Sequence, residues 1–152
     1  MVNALIDRGA EVNAPTTKPE DKKSTPLIAA SANGRVEVMR VLLAAGARVN
    51  LGNADGINAL MLASYYGQVE AIHVLLAAGS QINQVNAIGQ NALMAASAEG
   101  HVQAVKALLV AGADPRLTST NGSTALNMAQ HSKHPAVVSV LHAKLAELAG
   151  SA

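Results

Sequence analysis

Four stretches of this chain begin 33 residues apart and read alike. They are TPLIAASANGRVEVMRVLLAAGARVN from Thr25, NALMLASYYGQVEAIHVLLAAGSQIN from Asn58, NALMAASAEGHVQAVKALLVAGADPR from Asn91, and TALNMAQHSKHPAVVSVLHAKL from Thr124. A fixed period of this length marks an array in which each unit is one small supersecondary motif and the core is continuous only when units stack. Upstream, LIDRGAEVN matches the tail of a unit, with Gly9 in the slot held by Gly46, Gly79 and Gly112. From Gly9 to Gly46 is 37 residues, so four extra residues lie between them.

Each recurring position has a physical role. Thr25, Asn58, Asn91 and Thr124 are helix N-cap residues, whose side-chain oxygens can accept an orphan backbone N–H. Pro26 follows one of them, at the first helical position, where its missing N–H costs nothing. Leu27, Leu60, Leu93 and Leu126 open a short inner helix, and Gly34, Gly67 and Gly100 end it in a left-handed conformation. An outer helix follows, with apolar residues at helical spacing: Val38, Val41 and Leu42 in one unit, Ile72, Leu75 and Leu76 in the next. Gly46, Gly79 and Gly112 stop that helix, and Gly56, Gly89 and Gly122 mark a hairpin-like turn into the next unit.

Composition agrees with stacked helices. Half of the 152 residues are hydrophobic, yet there is no Phe or Trp and there are only two Tyr. A core of Ala, Val and Leu needs elements that approach closely, which favours helix stacks over sandwiches and barrels. The net charge of +1 excludes a field strong enough to attract nucleic acid. With no Cys there is neither disulfide nor thiol chemistry, and the redox compartment stays open. No apolar run approaches the roughly 18 residues of a membrane span.

The pattern resembles the ankyrin repeat family, whose period is 33 residues and whose signature is T-P-L-H-x-A. The resemblance implies an all-α solenoid of stacked helix pairs joined by hairpin-like loops. Its expected organisation is a partial repeat over residues 1–13, supplying an outer helix only, and an extended finger loop over 14–24. Three full repeats over 25–123 and a C-terminal capping repeat over 124–152 complete it. The signature His is replaced by Ile28, Met61, Met94 and Asn127, so the capping hydrogen bonds it makes in the family are expected to be lost. Lys133 stands where the glycine between helices should be, with Pro135 just beyond, which predicts a less regular turn in the last unit. The half-repeat fits either a chain that starts there or a longer protein with repeats upstream.

In this family partners bind on the concave side, formed by hairpin tips and the exposed flank of the inner helices. Carried over unit by unit, the contact positions fall on Ala54, Asp55, Ile57, Tyr65, Tyr66 and Ala78 in the unit beginning near Asn53. In the preceding unit they are Asp21, Lys22, Ser24, Ala32, Asn33 and Ala45; in the following one Ala87, Ile88, Gln90, Ala98, Glu99 and Ala111. The last unit offers Thr120, Asn121, Ser123, His131 and Ser132. The expected contact set is Asp55, Ile57, Tyr65, Tyr66, Ile88, Gln90, Glu99, Asn33, Lys22 and Asn121. Within it the adjacent tyrosines, placed as the last two residues of an inner helix and flanked by Ile57 and Ile88, form an apolar ledge with polar edges. Tyr is enriched among binding hot spots because it buries much area while losing few rotamers.

Other chemistry finds little support in the residues. His131, His134 and His142 are split by the inter-helix turn, and neither a Cys nor a carboxylate pair completes a zinc set. Ser64 and Ser97 are equivalent inner-helix positions and read as small packing residues rather than nucleophiles; no Ser–His–acid set converges. His73 and Lys106 read as exposed outer-helix residues, and His101 as a structural residue opening an outer helix. The charges of the loop APTTKPEDKKS, residues 14–24, read first as a solvated tip and second as partner contacts. The expectation is a monomeric, non-enzymatic module without cofactor or metal, binding a protein partner and touching neither nucleic acid nor membrane. The Ala-rich outer helices look like those of bacterial ankyrin proteins, which implies a soluble inhibitor, immunity or regulatory protein of a bacterial enzyme, in periplasm or cytoplasm. The alternative is a targeting or scaffold segment of a longer effector or multidomain protein.

Overall fold

A computed structural model describes residues 25–150. The expectations for residues 1–24, including Asp21, Lys22 and Ser24, lie outside that range. Among the described residues there are eight helices and no strand. They alternate as inner and outer members of four pairs. The first pair is α1 (Pro26–Ala32) and α2 (Val36–Ala44), and the second α3 (Ala59–Tyr65) and α4 (Val69–Ala77). The third is α5 (Ala92–Glu99) and α6 (Val102–Val110), and the fourth α7 (Ala125–His131) and α8 (Pro135–Gly150). Each inner helix packs on its outer partner and on the next inner helix, and outer helices pack on one another in the same order. The result is an all-α ankyrin-type solenoid.

The helices begin where capping chemistry places them. The backbone N–H of Ile28 donates to Thr25 Oγ1 at 3.3 Å, and those of Met61 and Met94 donate to the Oδ1 of Asn58 and Asn91 at 2.9 Å each. Each such cap stabilises its helix by about 1 kcal/mol. The last pair departs from the expected loss of reciprocal capping. Asn127 Oδ1 accepts the Thr124 backbone N–H at 3.0 Å while its own N–H donates to Thr124 Oγ1 at 3.2 Å, closing a complete capping box. A short carboxamide three residues into the helix supplies the reciprocal bond whose loss was expected.

The core repeats with the period. Leu27, Leu60 and Leu93 are sealed between helices, as are Leu42, Leu75, Leu108 and Leu141 on the outer side. Full burial of each leucine contributes roughly 1.5–3 kcal/mol. Ala63, Ala96 and Ala129 have no exposed surface, and their small side chains let neighbouring inner helices close together. One outer-helix assignment needs correction: Met39 is fully buried, whereas Val41 is 39% exposed. Met39 is the counterpart of Ile72 and Val105, both also fully buried, so the buried stripe runs through 39 and 42 and leaves 41 at its margin.

The last turn is also more regular than its sequence suggests. Lys133 takes φ +62°, the left-handed conformation that Gly34, Gly67 and Gly100 adopt at +66°, +68° and +76°. A side chain there costs about 1–2 kcal/mol. The geometry is imposed because the next residue must reach back across the stack. His134 Nε2–H donates to Ala98 O at 3.0 Å, as His101 Nε2–H donates to Tyr65 O at 2.8 Å and Gln68 Nε2–H to Ala32 O at 3.2 Å. These three bonds latch the outer helices α4, α6 and α8 to the inner helices of the preceding pairs. A carbonyl only accepts, so the imidazole nitrogen facing it carries the proton.

Candidate protein-binding groove

Tyr65 is the last residue of α3 and Tyr66 is its C-cap, one residue beyond the helix rather than within it. They are 42% and 53% exposed, and their rings meet edge to face, with centroids 5.0 Å apart and planes at 80°. That is a favoured aromatic arrangement, so each ring limits the rotamers of the other. The Tyr65 carbonyl is fixed by His101, which anchors the end of α3 to the next helix pair. The two rings therefore stand on a braced helix end and present apolar faces to solvent without needing to be ordered by a partner.

Beside them is a cavity of about 330 Å³. The second pair supplies Ile57, Met61, Leu62, Tyr65 and Tyr66, and the third supplies Asn86, Gln90, Asn91 and Ala95. Its lining is mostly apolar, with carboxamides as the polar groups and no charged side chain. A second cavity adjoins it through Gln90, between the third and fourth pairs, lined by Ala98, Asn121, Ser123, Asn127, Met128, His131 and Ser132. The groove is thus more apolar over one junction and more polar over the next.

The loops between pairs are set by side-chain-to-backbone bonds. Asn53 Oδ1 accepts the N–H groups of Asp55 and Ile57 at 2.9 and 3.0 Å, and Asn86 Oδ1 those of Ile88 and Gln90, both at 3.0 Å. Neighbouring tips are tied by Ala87 N–H to Asp55 O and Thr120 N–H to Ile88 O, each 3.0 Å. Gly89 lies where the third tip meets the fourth. A Cβ on it would stand 2.9 Å from the Thr120 backbone nitrogen, and its φ of +75° already disfavours other residues.

Of the residues expected at the site, Ile57, Tyr65, Tyr66 and Gln90 converge on the first cavity, and Gln90 and Asn121 on the second. Ile88 is 54% exposed on its tip but stands outside the first cavity, whose apolar wall is made by Met61, Leu62 and Ala95. Asp55 is half-buried in its tip, and Glu99 is exposed at the end of α5. Asn33 caps α1, donates from Nδ2 to Ala29 O at 2.9 Å, and borders a separate apolar hollow with Pro26, Ala29 and Val38. The sequence reading missed Asn86 and the second role of Asn91. Their 33-residue spacing from Asn53 and Asn58 was the available signal.

Among the described residues no three His, Asp or Glu side chains are placed to hold a metal ion. No helix among them is long and apolar enough to cross a membrane. Away from the groove, Asp114 and Arg116 form a loop ion pair. The Arg116 guanidinium, bonded to Asp114 at 2.9 Å, and the Arg116 backbone N–H together hold the Asp114 carboxyl below the usual carboxylate range.

A family model described as ankyrin repeats, in three copies, matches residues 1–86 and again 75–149. The chain belongs to the ankyrin repeat family. Ankyrin repeats are non-catalytic modules that mediate protein–protein interaction. No curated protein matches the chain in sequence.

Proposed function

We propose that this ankyrin chain is a non-enzymatic binding module that holds one protein partner in its concave groove, with the Tyr65–Tyr66 pair as the anchor. The observation that carries this reading is the exposed, braced pair of rings at the mouth of an uncharged cavity, in a chain with no other aromatic residue. Truncating an anchor of this type costs a complex about 2 kcal/mol or more. The chain acts as a monomer built from three full repeats over 25–123 and a closing repeat over 124–152. Its role is to mask or regulate a bacterial enzyme, as an inhibitor or immunity protein in the periplasm or cytoplasm. A targeting or scaffold role within a longer effector or multidomain protein is the second reading.

The test is a paired capture. Immobilised chain and its Y65A/Y66A variant are exposed to extract of the source organism, and retained proteins are identified by mass spectrometry. One protein retained by the first and lost from the second, with equal helical melts, is the expected result. Equal retention by both removes this surface from the account. Inhibition of the retained protein's activity separates the masking role from the scaffold role.

A further inference from the structure

The lining of the first cavity contains hydrogen-bond donors with nothing to donate to. Asn91 is only 2% exposed; its Oδ1 is committed to the Met94 N–H at 2.9 Å, which fixes the orientation of the carboxamide, and its Nδ2 has no partner. Asn86 repeats the arrangement: both lone-pair positions of Oδ1 are taken by backbone N–H groups, and its Nδ2 is unpartnered. The carboxamide of Gln90 makes no hydrogen bond. An occupant that covered these NH2 groups without offering acceptors would strip them of water and leave them unpaired at a cost of about 1–3 kcal/mol, so the cavity favours an occupant that brings acceptors.

The choice among acceptors follows from charge. Neither cavity is lined by Lys or Arg, so a carboxylate or phosphate entering it would be desolvated without a counter-charge, a net loss. Nor is either lined by Asp or Glu that would draw a cationic side chain. Backbone carbonyls supply neutral acceptors, and an extended chain places those on one edge about 7 Å apart, with side chains alternating between faces. The apolar wall of Ile57, Met61, Leu62 and Ala95 takes one such side chain beneath the tyrosine rings.

We infer that the Asn86–Asn91 side of this cavity reads an extended, uncharged segment of the partner protein: one large aliphatic or aromatic side chain fills the apolar part, and flanking backbone carbonyls accept from the two carboxamide NH2 groups. This deepens the proposed function and rests on its reading that the concave face binds protein.

The test uses blocked amino acids as probes, titrated into the ¹⁵N-labelled full chain. N-acetyl-leucinamide and N-acetyl-phenylalaninamide offer carbonyls and an apolar side chain; N-acetyl-lysinamide, N-acetyl-glutamamide carrying its free side-chain carboxylate, and 4-methylpentanoate offer charge. The apolar amides are expected to shift the side-chain NH2 signals of Asn86 and Asn91 and the amides of Tyr65 and Tyr66, binding at least tenfold more tightly than the charged probes. Asn91→Thr keeps a capping oxygen, as Thr25 and Thr124 do, but removes the donor; it is expected to weaken the apolar amides about fivefold, the worth of one neutral hydrogen bond. Asn58→Thr, at the equivalent cap outside the cavity, is expected to leave them unchanged. Absence of shifts with any amide, tighter binding of 4-methylpentanoate, or equal affinity in Asn91→Thr overturns the inference. If the Y65A/Y66A variant loses the captured partner while the amides do not bind, the inference falls and the groove reading stands. If the amides bind but capture is indifferent to the tyrosines, the groove reading falls instead.

Discussion

The two cavities of the groove occupy successive junctions of one scaffold, yet they are chemically unlike. Thirty-three residues on from Ile57 and Tyr65 stand Gln90 and Ala98, and from Gln90 stands Ser123. The backbone beneath these positions is the same: a capped inner helix, a left-handed residue, and a side chain latched to the preceding carbonyl. The side chains differ, with Asn127 standing where Met94 is buried one pair earlier, and they turn an apolar pocket walled by aromatic rings into a more polar hollow around His131 and Ser132. The repeat therefore separates two tasks. Positions facing the stack are held to Leu, Ala and Ser by packing, and positions facing the groove are free of that constraint and carry recognition in the proposed function.

That contrast can be broken experimentally. The largest effect is expected from Y65A/Y66A, which should weaken the partner by about 30-fold or more per ring, whereas H131A/S132A at the corresponding positions of the fourth pair should change affinity only a few-fold. Surface plasmon resonance with the captured partner measures both, and neither variant should alter the helical melt appreciably, because all four side chains are exposed. A polar-side variant that matched the tyrosine variant would erase the asymmetry.

The loops joining the junctions give the next effect. Gly122→Ala should cost about 1–2 kcal/mol, for left-handed strain alone, since a Cβ there meets nothing within 4 Å. Gly89→Ala carries the same strain plus the collision with the Thr120 backbone, and should cost at least about 1 kcal/mol more. Urea unfolding resolves the difference. Equal costs would mean that the tips are not in close contact. On the polar side, Lys133→Gly should stabilise by about 0.5–1 kcal/mol, relief of left-handed strain partly offset by glycine's chain entropy. A loss of stability would show that the lysine contributes more than its backbone costs.

The smallest effect lies outside the groove, at Asp114 and Arg116. The carboxyl is more acidic folded than unfolded, so its contribution to stability is present above the unfolded value near pH 4 and is lost as pH falls through the lower folded value. Asp114→Asn should therefore flatten the acid side of the stability profile slightly and leave groove binding untouched. An unchanged acid limb in thermal melts at stepped pH would show that the pair is not populated in solution.

The fold was almost wholly legible in the sequence, because the 33-residue spacing, the capping residues and the glycines are local signals that each specify backbone geometry. What was less legible depends on neighbours. The helical spacing of Val38, Val41 and Leu42 did not reveal that Met39 takes the innermost position, since that depends on how α2 is rotated against α4. Lys133 looked like a break in the pattern, but the His134 bond across the stack holds it in the glycine conformation. At the site, the paired tyrosines, Ile57 and Gln90 could be placed because groove positions recur with the period. The cavity beside the rings could not, since it forms between pairs, and Asn91 shows as a helix cap in the sequence and as a donor only beside Met61 and Tyr65.

Hydrogen exchange of the chain alone and in complex with its captured partner tests the central claim most directly. Slowed exchange confined to residues 57–66 and 86–95, the two walls of the apolar cavity, is the predicted result, with the outer helices α2, α4 and α6 unchanged. Protection that falls on those outer helices and spares the tyrosine end of α3 would contradict it.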